Sequence, residues 1–103
     1  MPLYDLDDVR TAARRQKVEY RGRKVMLNTA DLGYEFEDVC ACLVRLTKDD
    51  FQKSHHYDDG PGDDAYRLKT VRPGSDGAEF DELYIKLRLI GDQVTVDLGS
   101  FHV

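Results

Sequence analysis

Lysine, histidine, tyrosine and arginine recur at two-residue spacing in three stretches of this chain, a spacing that puts side chains on one face of a strand. In QKSHHY, Lys53, His55 and Tyr57 share a side while His56 points away. In AYRLKTVR, Arg67 and Lys69 share a side. In LYIKLRLI, Tyr84, Lys86 and Arg88 alternate with Leu83, Ile85, Leu87 and Leu89. If these strands lie in one twisted sheet, a single face gathers cations, phenols and imidazoles within a few residues' width.

Those residue types suit metal-independent cleavage of RNA. A base takes the proton of a ribose 2′-hydroxyl, the oxygen attacks the adjacent phosphate, cations stabilise the added negative charge, and an acid protonates the leaving 5′-oxygen. Histidine titrates near the working pH, whereas lysine or tyrosine needs a shifted pKa or acts electrostatically. DNA lacks the nucleophile, so RNA is the implied substrate. The bland reading stands beside this one, because alternating strands also carry exposed Lys, Arg and Tyr for solubility. His55 and His56 with Asp58 or Asp59 make a poor metal site, since adjacent histidines on a strand point to opposite faces. No metal and no cofactor is expected.

The composition sets bounds on partners. A chain of 103 residues fits one domain, 1–103, with a single modest core. No apolar run approaches the roughly 18 residues of a membrane span, and MPLYDLDDVR lacks the basic and apolar regions of a signal peptide, so a cytoplasmic protein is expected. Cys40 and Cys42 stand two apart in a helical pattern and point to different sides, so they read as reduced, half-buried residues. The formal net charge of −5 opposes nucleic-acid binding in bulk, but the acids are clustered. Asp58, Asp59, Asp63 and Asp64 crowd one loop-like segment and Asp76, Glu79, Asp81 and Glu82 another, which leaves the strands between them locally cationic.

The elements that must position these strands follow from capping and periodicity. Asp5 or a neighbour caps a helix through about Gln16, with acids in the first turn and Arg14, Arg15 and Lys17 near the end. Val18 to Leu27 reads as extended, interrupted by a turn at Gly22; its RGRK run serves equally as a solvated turn or a phosphate contact. Asn28 or Thr29 caps a short helical turn that Gly33 stops, and Glu35 to Leu46 forms the main helix. Thr47 caps a last turn, TKDDF. A strand follows from Gln52, then the loop DDGPGDD, a strand over Ala65 to Arg72, the turn PGSDG, and a strand over Leu83 to Ile90. A two-residue turn at Gly91 and Asp92 leads into a last strand with Val94, Val96 and Leu98 alternating. The fold class is therefore α+β, with amino-terminal helices packed on one face of an antiparallel β-sheet.

YDLDDVR, LNTADLGYEFEDVCACLVRLTKDDFQKS, AYR and LYIKLRLIGDQVTV, in that order, resemble the MqsR family of bacterial toxins over nearly the whole chain. The resemblance implies an mRNA interferase with a RelE-like α+β fold, held inactive by an antitoxin of the MqsA kind. That antitoxin is a zinc-containing, DNA-binding protein, so zinc would belong to the partner and DNA would be engaged only through it. The family's active-site lysine falls on Lys53, directly after Asp50, Phe51 and Gln52, and its tyrosine on Tyr84 of YIK. The family's glutamine falls near Asp63, a carboxylate in place of an amide. Its last lysine, after a serine and a phenylalanine, falls on His102; aligned without a gap the position is Gly99.

Two functions follow. In the first, an endoribonuclease toxin, Lys53 stabilises the phosphate or assists proton transfer and Tyr84 positions or protonates. Arg67, Lys69, Lys86 and Arg88 bind RNA, and His55 or His102 carries protons. In the second, the chain is a degenerate relative that engages an antitoxin through a sheet edge but no longer cuts RNA.

Overall fold

Three helices precede a meander of four antiparallel strands in the computed structural model of the protein, which describes residues 1–103. Helix α1 (Leu6–Arg14) starts at Asp5, whose carboxylate accepts from the Asp7 amide at 2.7 Å, and buries Val9, Ala12 and Ala13. It ends before Gln16, which adopts a left-handed φ of 57°. Strand β1 (Val18–Tyr20) follows, then α2 (Arg23–Leu32), α3 (Phe36–Arg45) and a single 3₁₀ turn, Lys48–Asp50. Strands β2 (Phe51–Tyr57), β3 (Gly60–Val71), β4 (Phe80–Ile90) and β5 (Thr95–His102) complete the chain.

The α+β class with its helices packed on one sheet face matches the expectation from sequence, and four local readings need correction. The VML segment is helical rather than extended: α2 begins directly after Gly22 (φ 84°) and buries Val25 and Thr29 four residues apart on one face. Asn28 and Thr29 therefore lie inside that helix instead of capping it, and the Thr29 hydroxyl donates back to the Met26 carbonyl at 2.9 Å. Gly33 does end it, in a left-handed conformation. The DDGPGDD segment is not a loop beyond Asp59, because β3 already runs from Gly60 and both Asp63 and Asp64 are fully buried. The β4–β5 connection spans Gly91–Val94, wider than a two-residue turn, with Asp92 and Gln93 both at positive φ and the Val94 amide bonded to the Ile90 carbonyl.

The sheet order is β1-β5-β4-β3-β2. β1 joins β5 in parallel, Val18 opposite Val96 and Tyr20 opposite Leu98, which places the segment after the first helix on one edge of the sheet. The core lies between helices and sheet. Leu83, Ile85, Leu87 and Leu89 of β4, Val96, Leu98 and Phe101 of β5 and Tyr66 of β3 meet Val9, Val39, Leu43 and Leu46. α3 is held at its start by a reciprocal capping box between Glu35 and Asp38. At its end the Leu46 carbonyl accepts from Arg10 of α1, Nε at 3.0 Å and Nη2 at 2.7 Å, which fixes the two helices against each other. Cys40 and Cys42 are free and buried, and desolvation pushes the Cys42 thiol up to about 11. No helix is long and apolar enough to cross a membrane.

Candidate active site

With the helices on one side, the other face of the sheet is open, and strand register arranges its side chains in rows. Arg67, Tyr84 and His102 are successive partners across β3, β4 and β5. Lys53, Ala65, Lys86 and Ser100 form the next row across four strands. His55 opposes Asp63, and Arg88 opposes Asp97, in the third.

His55 and Tyr84 come from strands that are not neighbours, yet the His55 Nε2 and the Tyr84 hydroxyl lie 3.0 Å apart across the intervening β3. Small Ala65, completely covered, occupies β3 between the levels of their register partners Asp63 and Arg67. On the opposite flank of Tyr84 the His102 ring sits 5.4 Å away, centroid to centroid, its Nδ1 3.0 Å from the Val103 carbonyl. The Arg67 guanidinium lies over the Tyr84 ring at 5.3 Å, close enough for a cation–π contact. Lys53 is exposed and Lys86 half-buried, and neither is tied into an ion pair. Lys69 stands farther along, opposite Glu82 and 5.5 Å over the Phe80 ring. His55 and His56 do not gather with Asp58 and Asp59 into a metal-ligand cluster.

At the other end of this face, Asp63 is fully buried and fully bonded. Arg21 grips it with two bonds, Nη1 to Oδ2 at 3.0 Å and Nη2 to Oδ1 at 2.8 Å. Arg88 donates Nε at 2.7 Å and the Tyr57 hydroxyl donates at 2.9 Å. Arg21 also reaches Asp97 through Nε at 3.1 Å. Burial alone would raise the Asp63 pKa, but these donors outweigh it and hold the carboxyl well below the usual carboxylate range. The Tyr57 hydroxyl is pushed up, first by burial and then by its bond to the same anion.

Residues 1–102 match the family described as motility quorum-sensing regulator, toxin of MqsA. The chain belongs to the MqsR toxin family. Its members are the toxins of toxin–antitoxin systems, each paired with MqsA. Among curated proteins no sequence matches the chain.

The positions that the MqsR resemblance singles out share this face but not one environment. Lys53 and Tyr84 both face out on it, with Lys53 one register row from Tyr84. Asp63 sits in the ion network rather than in a loop. The two alternatives for the last position part company: pairing shifts between Lys86–Ser100 and Leu87–Leu98, so Gly99 is an extra, unpaired residue. That bulge returns Ser100 and His102 to the same face as Asp97.

Sequence reasoning missed Arg21 and Asp97 and did not foresee what Tyr57 bonds. Arg21 carries no periodic signal, because β1 is only three residues long and its place beside β5 is a long-range fact. The one available hint was a basic residue at the RGRK turn together with an acid at Asp63 lacking an obvious partner. Arg88, expected among the RNA-binding cations, spends its Nε on Asp63 and keeps its other nitrogens free of protein partners.

Proposed function

We propose that the open face is the active site of a metal-independent endoribonuclease, an mRNA interferase, whose action arrests translation and growth. The observation that carries the proposal is the 3.0 Å contact between His55 and Tyr84, with a second imidazole, His102, on the far side of the tyrosine. In-line displacement at phosphorus wants a base and an acid on opposite sides of the phosphate, and the strand order puts β2 and β5 on opposite sides of β4.

In this reading His55 takes the proton from a ribose 2′-hydroxyl while the 2′-oxygen bonds to the adjacent phosphorus. The bond from phosphorus to the 5′-oxygen breaks, His102 protonates that oxygen, and the products are a 2′,3′-cyclic phosphate and a 5′-hydroxyl. Tyr84 orients His55 and donates toward the phosphate. Lys53, Lys86 and Arg67 offset the charge that builds on its oxygens. Arg88 and Lys69 hold the RNA backbone farther along the face. Asp63 carries no proton, because its partners keep it ionised; it acts by positioning cations. The partner is an MqsA-like antitoxin, zinc-containing and DNA-binding, so DNA is reached only through it, and the site of action is the cytoplasm.

The test is incubation of the purified protein with a defined mRNA, with and without EDTA, followed by end analysis. Cleavage that survives EDTA and leaves cyclic phosphate is the expected result. An intact mRNA at every protein concentration would overturn the nuclease reading and leave a binding module. In cells, Lys53→Ala is expected to relieve growth arrest, measured as colony formation after induction.

A further inference from the structure

A fully buried carboxylate is out of place on a face that binds phosphates, since it repels the ligand that the surrounding cations attract. Asp63 is that carboxylate, and the chain that answers it comes from the far edge of the sheet. Arg21 follows β1, and its side chain passes over β5 to meet the carboxylate that Asp63 extends from β3. It crosses at Gly99. A Cβ built on Gly99 would lie 2.6 Å from Arg21 Nη1 and 2.9 Å from its Cζ, so any larger residue would push the guanidinium out of its path. Gly99 is also the bulged residue of β5, the place where the strand can carry a side-chain-free position without losing its alternation.

We propose that Arg21 is a positioning residue of the RNA site: it neutralises Asp63 through the passage over Gly99, and so leaves Arg88 free to bind phosphate. The inference rests on the ribonuclease reading above and concerns its substrate-binding half. Asp63 has two oxygens, and Arg21 supplies a nitrogen to each. Arg88 then needs to give only Nε; its guanidinium lies 5.9 Å over the Tyr57 ring with 17 % of the side chain exposed, and its two terminal nitrogens make no hydrogen bond to the protein. Without Arg21, the Asp63 carboxylate has one guanidinium instead of two. Arg88 then turns its full fork onto Asp63, and the site loses a phosphate ligand and gains a negative charge. Asp97 accepts the remaining Nε of Arg21 and fixes its plane, so that the arginine arrives at Asp63 edge-on.

The experiment measures binding of a single-stranded 2′-O-methyl RNA, which cannot be cut by 2′-hydroxyl attack, by fluorescence anisotropy, alongside melting temperature and cleavage of the unmodified RNA. Arg21→Gln is expected to weaken binding on the order of tenfold. Gly99→Ala, which leaves every charge in place, is expected to weaken it in the same direction by displacing Arg21. Arg21→Gln with Asp63→Asn restores binding to within about threefold of the wild type, because removing the acid removes the need for its counter-ion. Arg21→Gln with Asp58→Asn has the same net charge as that double variant but alters an exposed acid of the β2–β3 turn that makes no bond to Arg21 or Arg88, and it does not restore binding. A merely structural role would make binding follow melting temperature, so that Arg21→Gln protein shown to be folded at the assay temperature binds as the wild type does, and that result overturns the proposal. Equal rescue by Asp58→Asn also overturns it, by reducing the effect to net charge. Wild-type protein that neither binds nor cuts RNA would remove the ribonuclease reading and this inference together; wild-type binding unchanged by Arg21→Gln would remove this inference alone.

Discussion

Asp63 and Asp64 are adjacent on β3, both fully buried, and they point to opposite faces of the sheet. On the helix side, Asp64 accepts only from uncharged donors: the Leu3 and Tyr4 amides, each at 2.9 Å, and the Ser54 hydroxyl at 2.6 Å. On the open side, Asp63 accepts from two guanidinium groups and a phenol. The first arrangement pins the amino-terminal segment to the sheet. The second cancels a charge where RNA phosphates are proposed to lie. The two acids are alike in burial and in having their oxygens hydrogen-bonded, and they differ in the charge of the donors: neutral groups at Asp64, two cations and a phenol at Asp63.

The largest expected break in this comparison is Asp63→Ala, which leaves Arg88 and Arg21 facing each other without an anion and costs about 3 kcal/mol in urea unfolding. Asp64→Asn comes next, at about 2 kcal/mol, from weakened bonds to two backbone amides. Because Asp64 faces away from the RNA, its substitution should leave cleavage per folded molecule within twofold, and hydrogen exchange should rise at Leu3 and Tyr4. A smaller effect comes from acid. Asp63 is held below its ordinary value of 3.8, and the bonds from Arg72, together with the Tyr34 hydroxyl at 2.8 Å, lower Asp81 despite its burial. A depressed carboxylate adds stability that is complete above that ordinary value and is lost as pH falls through the folded one. Urea midpoints should therefore hold between pH 7 and 5 and fall below pH 4, and Asp63→Asn should flatten that fall. The smallest effect on stability, within about 0.5 kcal/mol, is expected for Lys86→Ala, which sits on the open face outside any ion pair.

The same contrast explains what could be read before the fold was known. Alternation in LYIKLRLI separated Tyr84, Lys86 and Arg88 from the core-facing leucines because both faces of one strand are written in one short segment. Lys53, His55 and Tyr57 were legible for the same reason. Asp63 was not, because DDGPGDD has turn composition, and only pairing with β2 and β4 draws its second half into the sheet. Thr29 misled in another way: a residue that favours caps was buried inside α2, where packing against β5 outweighs local preference. Arg21 was beyond sequence reasoning, since its partner is 42 positions away and its route depends on a bulge at Gly99 that no local pattern announces.

The face stands or falls as an active site on Tyr84, which touches His55 on one side and lies beside His102 on the other. Replacing it with phenylalanine removes one hydroxyl and keeps the ring that Arg67 covers. The most direct measurement is the single-turnover cleavage rate of a defined mRNA by Tyr84→Phe and wild-type protein, each first shown to melt at the same temperature. A fall of about 100-fold is expected if the hydroxyl acts on the reacting groups; a rate within twofold of the wild type would contradict the assignment of this face as the site of RNA cleavage.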